Sequence, residues 1–136
     1  MAARDAFVDT SALYALIDRR DSHHSMMSGL VRRILESRRR LVTTDYIVCE
    51  AVNLANARAG HHVGRRILEL IDRSSALRVE WIGSLRFEAT KVFYRRHSDL
   101  RYSFTDCTSF VVMRELKLLE VLTTDQHFRE AGFQVL

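Results

Sequence analysis

The sequence predicts an α/β fold: a central parallel sheet of about five strands with helices on both faces. Three observations carry that expectation. Short apolar runs alternate with longer segments whose apolar residues fall at helical spacing, in the order β-α-α-β-α-α-β-α-α-β-α-β. Strands separated by helices run parallel and need cover on both faces. The 136 residues contain no proline, no low-complexity stretch and no linker, so one domain over residues 1–136 is expected.

The elements follow in order. Ala6-Phe7-Val8 is a buried strand that delivers Asp9 to a strand–helix junction, with Thr10 or Ser11 as the cap of a helix to Ile17. After the polar turn Asp18–Ser22, Asp21 or Ser22 is positioned to cap a second helix to about Arg39. Met27, Leu30, Val31 and Ile34 give it an apolar stripe, and its arginines form a solvated face. Leu41–Thr44 is a strand, Asp45 caps the next helix, and Gly60 closes it. A helix with Ile67, Leu70 and Ile71 follows. The alternation from Leu77 to Ile82 marks a strand near a sheet edge. Ser84 starts a helix to Arg96. Ser103 and Asp106 form a capping-box pattern that opens a helix to Leu116. Glu120–Thr124 is a strand, Asp125 caps a short helix ending at Gly132, and Phe133–Leu136 is the last strand.

Composition narrows the function classes. No apolar run approaches the roughly 18 residues of a membrane span, and the N-terminus enters a strand almost at once. A cytosolic protein without membrane attachment is therefore expected. Two cysteines, Cys49 and Cys107, suit a reducing compartment and buried, reduced thiols. The net charge is +4, and all basic residues but Lys91 and Lys117 are arginines. Arginine suits bidentate phosphate contacts, so the balance permits a nucleic-acid partner, although a codon preference explains the same bias.

The chemistry lies in the acids. Asp9, Glu50, Asp106 and Asp125 each fall just after a strand or in the early turns of a helix at one sheet edge, where ligands of open parallel sheets bind. Each has a structural reading by itself, as a turn, a cap or a dipole partner. Together they conflict. Carboxylates a few ångströms apart repel by several kcal/mol per pair at an effective dielectric of about 20. Such a cluster persists when cations neutralise it or protons stay bound. Hard oxygen ligands select Mg2+ or Mn2+, and the usual work of such a site is phosphoryl chemistry.

These residues carry a resemblance. Phe7-Val8-Asp9-Thr10-Ser11-Ala12-Leu13, Glu50 after the second strand, Ser103-Phe104-Thr105-Asp106-Cys107-Thr108-Ser109-Phe110 and Leu122-Thr123-Thr124-Asp125-Gln126-His127-Phe128 together resemble a PIN-domain ribonuclease. The short chain is similar to the VapC-type toxins of type II toxin–antitoxin modules. The resemblance implies that Asp9, Glu50, Asp106 and Asp125 are catalytic metal ligands. It also implies that Thr10, Ser11 and Thr105 line the site. It implies Mg2+, with Mn2+ as a substitute, and cleavage of RNA, often tRNA or rRNA. A homodimer silenced by a cognate antitoxin is implied as well.

Other residues complete the reading. Asn53, about one turn beyond Glu50, is a candidate to line the site, and Arg101 is a candidate phosphate contact. Tyr102 flanks the site and is a candidate base-stacking ring, whereas Phe104 reads as core. Glu50 has apolar neighbours, which argues against an exposed position. His23-His24 and His61-His62 are adjacent pairs that point apart, unlike zinc ligands. His127 reads as locally packed or close to phosphate. Three alternatives compete. One is a PIN-type nuclease in RNA processing outside any toxin module. Another is a non-catalytic acidic module that holds a structural cation. The third, an aspartyl phosphatase, needs a general acid two residues after Asp9, where serine stands.

Overall fold

The computed structural model describes residues 4–136. The elements are β1 (Ala6–Val8), α1 (Thr10–Ile17), α2 (His24–Glu36), β2 (Leu41–Thr44), α3 (Asp45–Arg58), α4 (His61–Arg73), β3 (Leu77–Glu80), α5 (Gly83–Arg96), α6 (Phe104–Glu115), β4 (Glu120–Leu122), α7 (His127–Glu130) and β5 (Gln134–Val135). Their order is the one read from the sequence. The five strands form one sheet in the order β3-β2-β1-β4-β5, with every pairing parallel. The alternating strand β3 is at an edge, as its half-polar pattern demands.

The connectivity decides where a ligand can sit. From β1 the chain steps outward through β2 to β3, then returns to place β4 on the other side of β1. The neighbours β1 and β4 therefore flank the switch point, where the loops leaving the carboxyl ends diverge and open a crevice. Right-handed crossovers put α1–α4 on one face and α5–α7 on the other. The packing agrees: α1 lies against α2, α3 and α4, and α6 lies against α5 and α7.

The core explains why β1 is central. Phe7 and Val8 are fully buried, as are Val42, Val121 and Leu122 on the adjoining strands. Full burial of each such side chain contributes about 1.5–3 kcal/mol. Beneath the β4 side, Phe110 meets Phe128 edge-on, with centroids 5.0 Å apart at 81°. Tyr102 joins this cluster against Phe110, with centroids 5.0 Å apart. Among the described residues, no helix is long and apolar enough to cross a membrane.

Three local expectations are corrected. The cap of α3 is Thr44, whose hydroxyl accepts from the Ile47 N–H at 3.1 Å. Asp45 is instead the first helical residue, and its carboxylate accepts from the Ile82 N–H at 2.9 Å, tying the start of α5 to α3. Helix α2 ends at Glu36, short of Arg39, because Arg38 takes a left-handed conformation with φ 60°. That turn frees Arg39 from the solvated face and lets its guanidinium pair with Glu120 of β4 at 2.8 Å. Cys107 is buried, but Cys49 is exposed, and neither forms a disulfide.

Candidate active site

Asp9 ends β1 in extended conformation at the start of α1, yet its side chain caps nothing. The strand register explains where it turns. Val8 pairs with Leu122, which puts Thr123 beside Asp9. The Thr123 hydroxyl donates to Asp9 Oδ2 at 2.8 Å. Only 5% of Asp9 is exposed. Burial pushes its carboxyl from 3.8 up to about 7, against the pull of the bonds from Thr123 and the Thr10 N–H, and the charges of Asp106 and Asp125 push the same way.

Glu50 enters from the second turn of α3 and accepts the Thr10 hydroxyl at 2.6 Å. Contrary to the expectation from its neighbours, Glu50 is exposed. Its apolar neighbours Ala51 and Val52 point elsewhere on the helix, and the carboxyl reaches over open space. Ser11 takes part from the same turn as Thr10. Its hydroxyl lies 3.2 Å from Thr123 Oγ1 and accepts from the Thr124 N–H at 3.0 Å.

Asp106 is held by the capping box at the start of α6. The Ser103 N–H donates to its Oδ2 at 3.2 Å, while Ser103 Oγ accepts from the Asp106 N–H at 3.0 Å. Asp125, between β4 and α7, accepts from the His127 N–H at 2.9 Å. The His127 ring then reaches back, with Nδ1 3.1 Å from Asp106 Oδ2 and 3.4 Å from Asp125 Oδ1. The bond to Asp106 raises the His127 pKa, burial opposes it, and the Asp125 charge adds to the rise. The imidazole thus stands between two carboxylates that otherwise repel.

Asp9, Glu50, Asp106 and Asp125 all line one cleft of about 430 Å³, together with Thr10 and Ser11. Neither cysteine lines it. A buried carboxyl that resists ionisation, beside further carboxyl and hydroxyl oxygens, is a donor set that fits a hard divalent cation. One ligand atom each from Asp106, Asp125 and His127 fall within 4.8 Å of one another.

The remaining predicted residues divide. Thr105 and Asn53 line an adjoining groove that shares Glu50 with the cleft. Asn53 is exposed there, with its amide 3.7 Å from Cys49 Sγ. Arg101 is exposed in the loop before α6 and does not line the cleft. Tyr102 is 8% exposed and packed edge-on against His127 as well as Phe110, so it offers no free face to a base. Tyr14, Arg58 and Thr123 were not singled out by the sequence. For Arg58 a signal exists in the sequence, since Leu54 and Arg58 follow Glu50 at four-residue steps on one helix row; Thr123 emerges only from the pairing of β4 with β1.

The PIN domain family model matches residues 6–134, and the chain belongs to that family. The solved structures include Mycobacterium tuberculosis VapC20, described as a Sarcin-Ricin loop cleaving toxin. It matches with a TM-score of 0.83 at 31% identity, over 95% of this chain and 96% of that one. Curated relatives include the 23S rRNA-specific endonuclease VapC20 of M. tuberculosis strains CDC 1551 / Oshkosh and ATCC 25618 / H37Rv. Each is 34% identical over 128 residues, covering 93% of this chain and 94% of the relative.

Proposed function

We propose that the protein is a Mg2+-dependent endoribonuclease of the VapC toxin type, acting on ribosomal RNA within a type II toxin–antitoxin module. The observation that carries this reading is the convergence of four carboxyl residues on one cleft at the β1/β4 switch point, in a chain of the PIN family. The full-length likeness to an endonuclease specific for 23S rRNA supports the substrate class.

Asp9, Glu50, Asp106 and Asp125 are the residues that would hold Mg2+ or Mn2+. A divalent cation bound there would supply activation of the attacking water and charge neutralisation at the departing oxygen. The chain supplies the rest. Thr123 fixes the orientation of Asp9, and Thr10 fixes that of Glu50. His127, with Nδ1 within reach of both carboxylates, holds Asp106 and Asp125 in one orientation. Ser11 ties the β4 exit to α1, so both sides of the crevice keep one spacing. Thr105 and Asn53 serve the substrate along the adjoining groove, and Arg101, exposed in the loop before α6, serves as a phosphate contact. The partners on this reading are the RNA, a cognate antitoxin protein and a second copy of the chain. Trp81 and Leu85, 71% and 86% exposed, support self-association through apolar surface.

The test uses purified protein, 23S rRNA and a synthetic hairpin of the sarcin–ricin loop. Cleavage is expected in Mg2+ or Mn2+, none in EDTA, and none by Asp9→Asn or Asp106→Asn. Both variants should also relieve growth arrest on expression. Undiminished cutting by both purified variants would sink the assignment of these acids.

A further inference from the structure

The charge of the cleft is lopsided. Among the described residues, Asp9, Asp21, Glu50, Asp106 and Asp125 line it, against a single lysine or arginine, Arg58. Arg58 closes α3 two turns beyond Glu50 on the same helix row. Its guanidinium carbon lies 5.7 Å over the centre of the Tyr14 ring. That ring is a firm platform: Tyr14 is 3% exposed and donates its hydroxyl to Asp18 Oδ2. Among the described residues Arg58 forms no ion pair, although five carboxyl residues share its cleft. A guanidinium laid on an aromatic face keeps its in-plane N–H donors directed outward, ready for a planar, bidentate anion.

The positive charge continues past the platform. The Asp18 carboxyl is held below its usual range by the Tyr14 hydroxyl first, then by the Arg20 N–H, and further by the charges of Arg20 and Arg66. Arg58 over Tyr14 and Arg20, whose N–H donates to Asp18 Oδ1 at 2.9 Å, thus both adjoin the Tyr14–Asp18 pair at the end of α1, and Arg66 belongs to α4, which packs against α1. A single strand entering an acidic cleft needs countercharge at each phosphate. Divalent cations would supply it at the carboxylates, and the protein must supply it at the next position.

We propose that Arg58, laid on Tyr14, grips the phosphate next to the one that is cut, and that Arg20 and Arg66 guide the RNA strand onward past Asp18. This rests on the nuclease reading above and adds to it the direction in which the strand leaves the cleft. RNA is favoured over an acidic protein segment because the track opens directly from the cleft that, on the nuclease reading, holds the strand being cut.

The experiment uses the full chain and a fluorescein-labelled sarcin–ricin hairpin. Anisotropy in Ca2+ reads binding and gel assays in Mg2+ read cleavage, between about 50 and 200 mM salt. Arg58→Gln should raise Kd and KM about tenfold, leave kcat within about twofold, and reduce the slope of log Kd against log salt by about 0.7. Arg58→Lys should keep the wild-type slope yet recover only part of the affinity, because the stacking is lost. The double variant Arg20→Gln/Arg66→Gln should weaken binding and flatten the slope with kcat unchanged. Melting curves matching wild type show that these exposed substitutions leave the fold intact. Wild-type KM and salt slope in Arg58→Gln would overturn the inference, as would a loss confined to kcat. So would unchanged RNA binding with lost binding of a poly-glutamate peptide, which marks a protein-docking site. If the wild type binds the hairpin but cuts nothing in Mg2+ or Mn2+, the nuclease reading fails while the phosphate track stands.

Discussion

Removing the charge of Asp9 should make the metal-free protein more stable, and the gain should depend on pH. Asparagine has the same shape, and its amide oxygen still accepts the Thr123 hydroxyl, so packing and that bond survive. What disappears is the cost of ionising a buried acid. In the unfolded chain the carboxyl titrates near 3.8, and in the native protein at about 7. Below the lower value both states hold the proton and nothing differs. Between the two, the unfolded chain releases its proton while the native chain keeps it, so native stability falls as pH rises. Above about 7 both are ionised and the penalty is constant. At roughly 1.4 kcal/mol per pH unit the full penalty approaches about 4 kcal/mol. Local relaxation reduces what is realised, so Asp9→Asn should gain about 2 kcal/mol at pH 8 and almost none at pH 4. For a chain of this size that is roughly 6–10 °C in Tm. Urea unfolding in EDTA at both pH values measures it. Adding Mg2+ at pH 8 should then stabilise the wild type but not the variant. Equal stability of the two proteins at pH 8 in EDTA, or a gain as large at pH 4, would refute the reasoning.

Other outcomes follow from single contacts. Thr123→Val removes the donor that orients Asp9 and should lower kcat about tenfold, with a loss of about 1 kcal/mol in EDTA, read by initial rates and urea titration. His127→Ala removes the imidazole that bridges Asp106 and Asp125. It should cost about 1 kcal/mol in EDTA and less in saturating Mg2+, compared by melting in the two buffers. Glu120→Gln breaks the largely enclosed pair with Arg39 and should lose about 1 kcal/mol while leaving cleavage rates intact. Phe110→Ala empties the centre of the aromatic cluster and should lose about 3–5 kcal/mol by denaturant unfolding.

The fold was legible because its signals are periodic. Phe7-Val8, Leu41-Val42 and Val121-Leu122 are short apolar runs ended by polar residues, and the helices between them carry regular stripes. The misreadings arose where two adjacent residues compete or where a path is irregular. Thr44 and Asp45 both cap well, and the extended backbone of Thr44 at the end of β2 settled the choice. Asn53 and Leu54 are both about one turn from Glu50. The α3 face that meets the cleft follows the four-residue row through Leu54 to Arg58, which turns Asn53 aside. Arg101 and Tyr102 lie in a stretch without periodicity, so nothing in the sequence fixed which would be buried. Thr123 is placed beside Asp9 by the register of β4 against β1, which no local sequence pattern encodes.

Asp106 belongs to two structures at once, the capping box of α6 and the cleft. Asp9 caps nothing, and its buried charge is a burden to the fold in EDTA. Cells that survive forced expression of the protein should therefore divide into two kinds. Escape through Asp9→Asn leaves an inert chain that accumulates to high levels. Escape through Asp106→Ala or Asp106→Val frays the start of α6 and leaves a chain that proteases thin out, so band intensity on an immunoblot sorts the survivors before any sequencing.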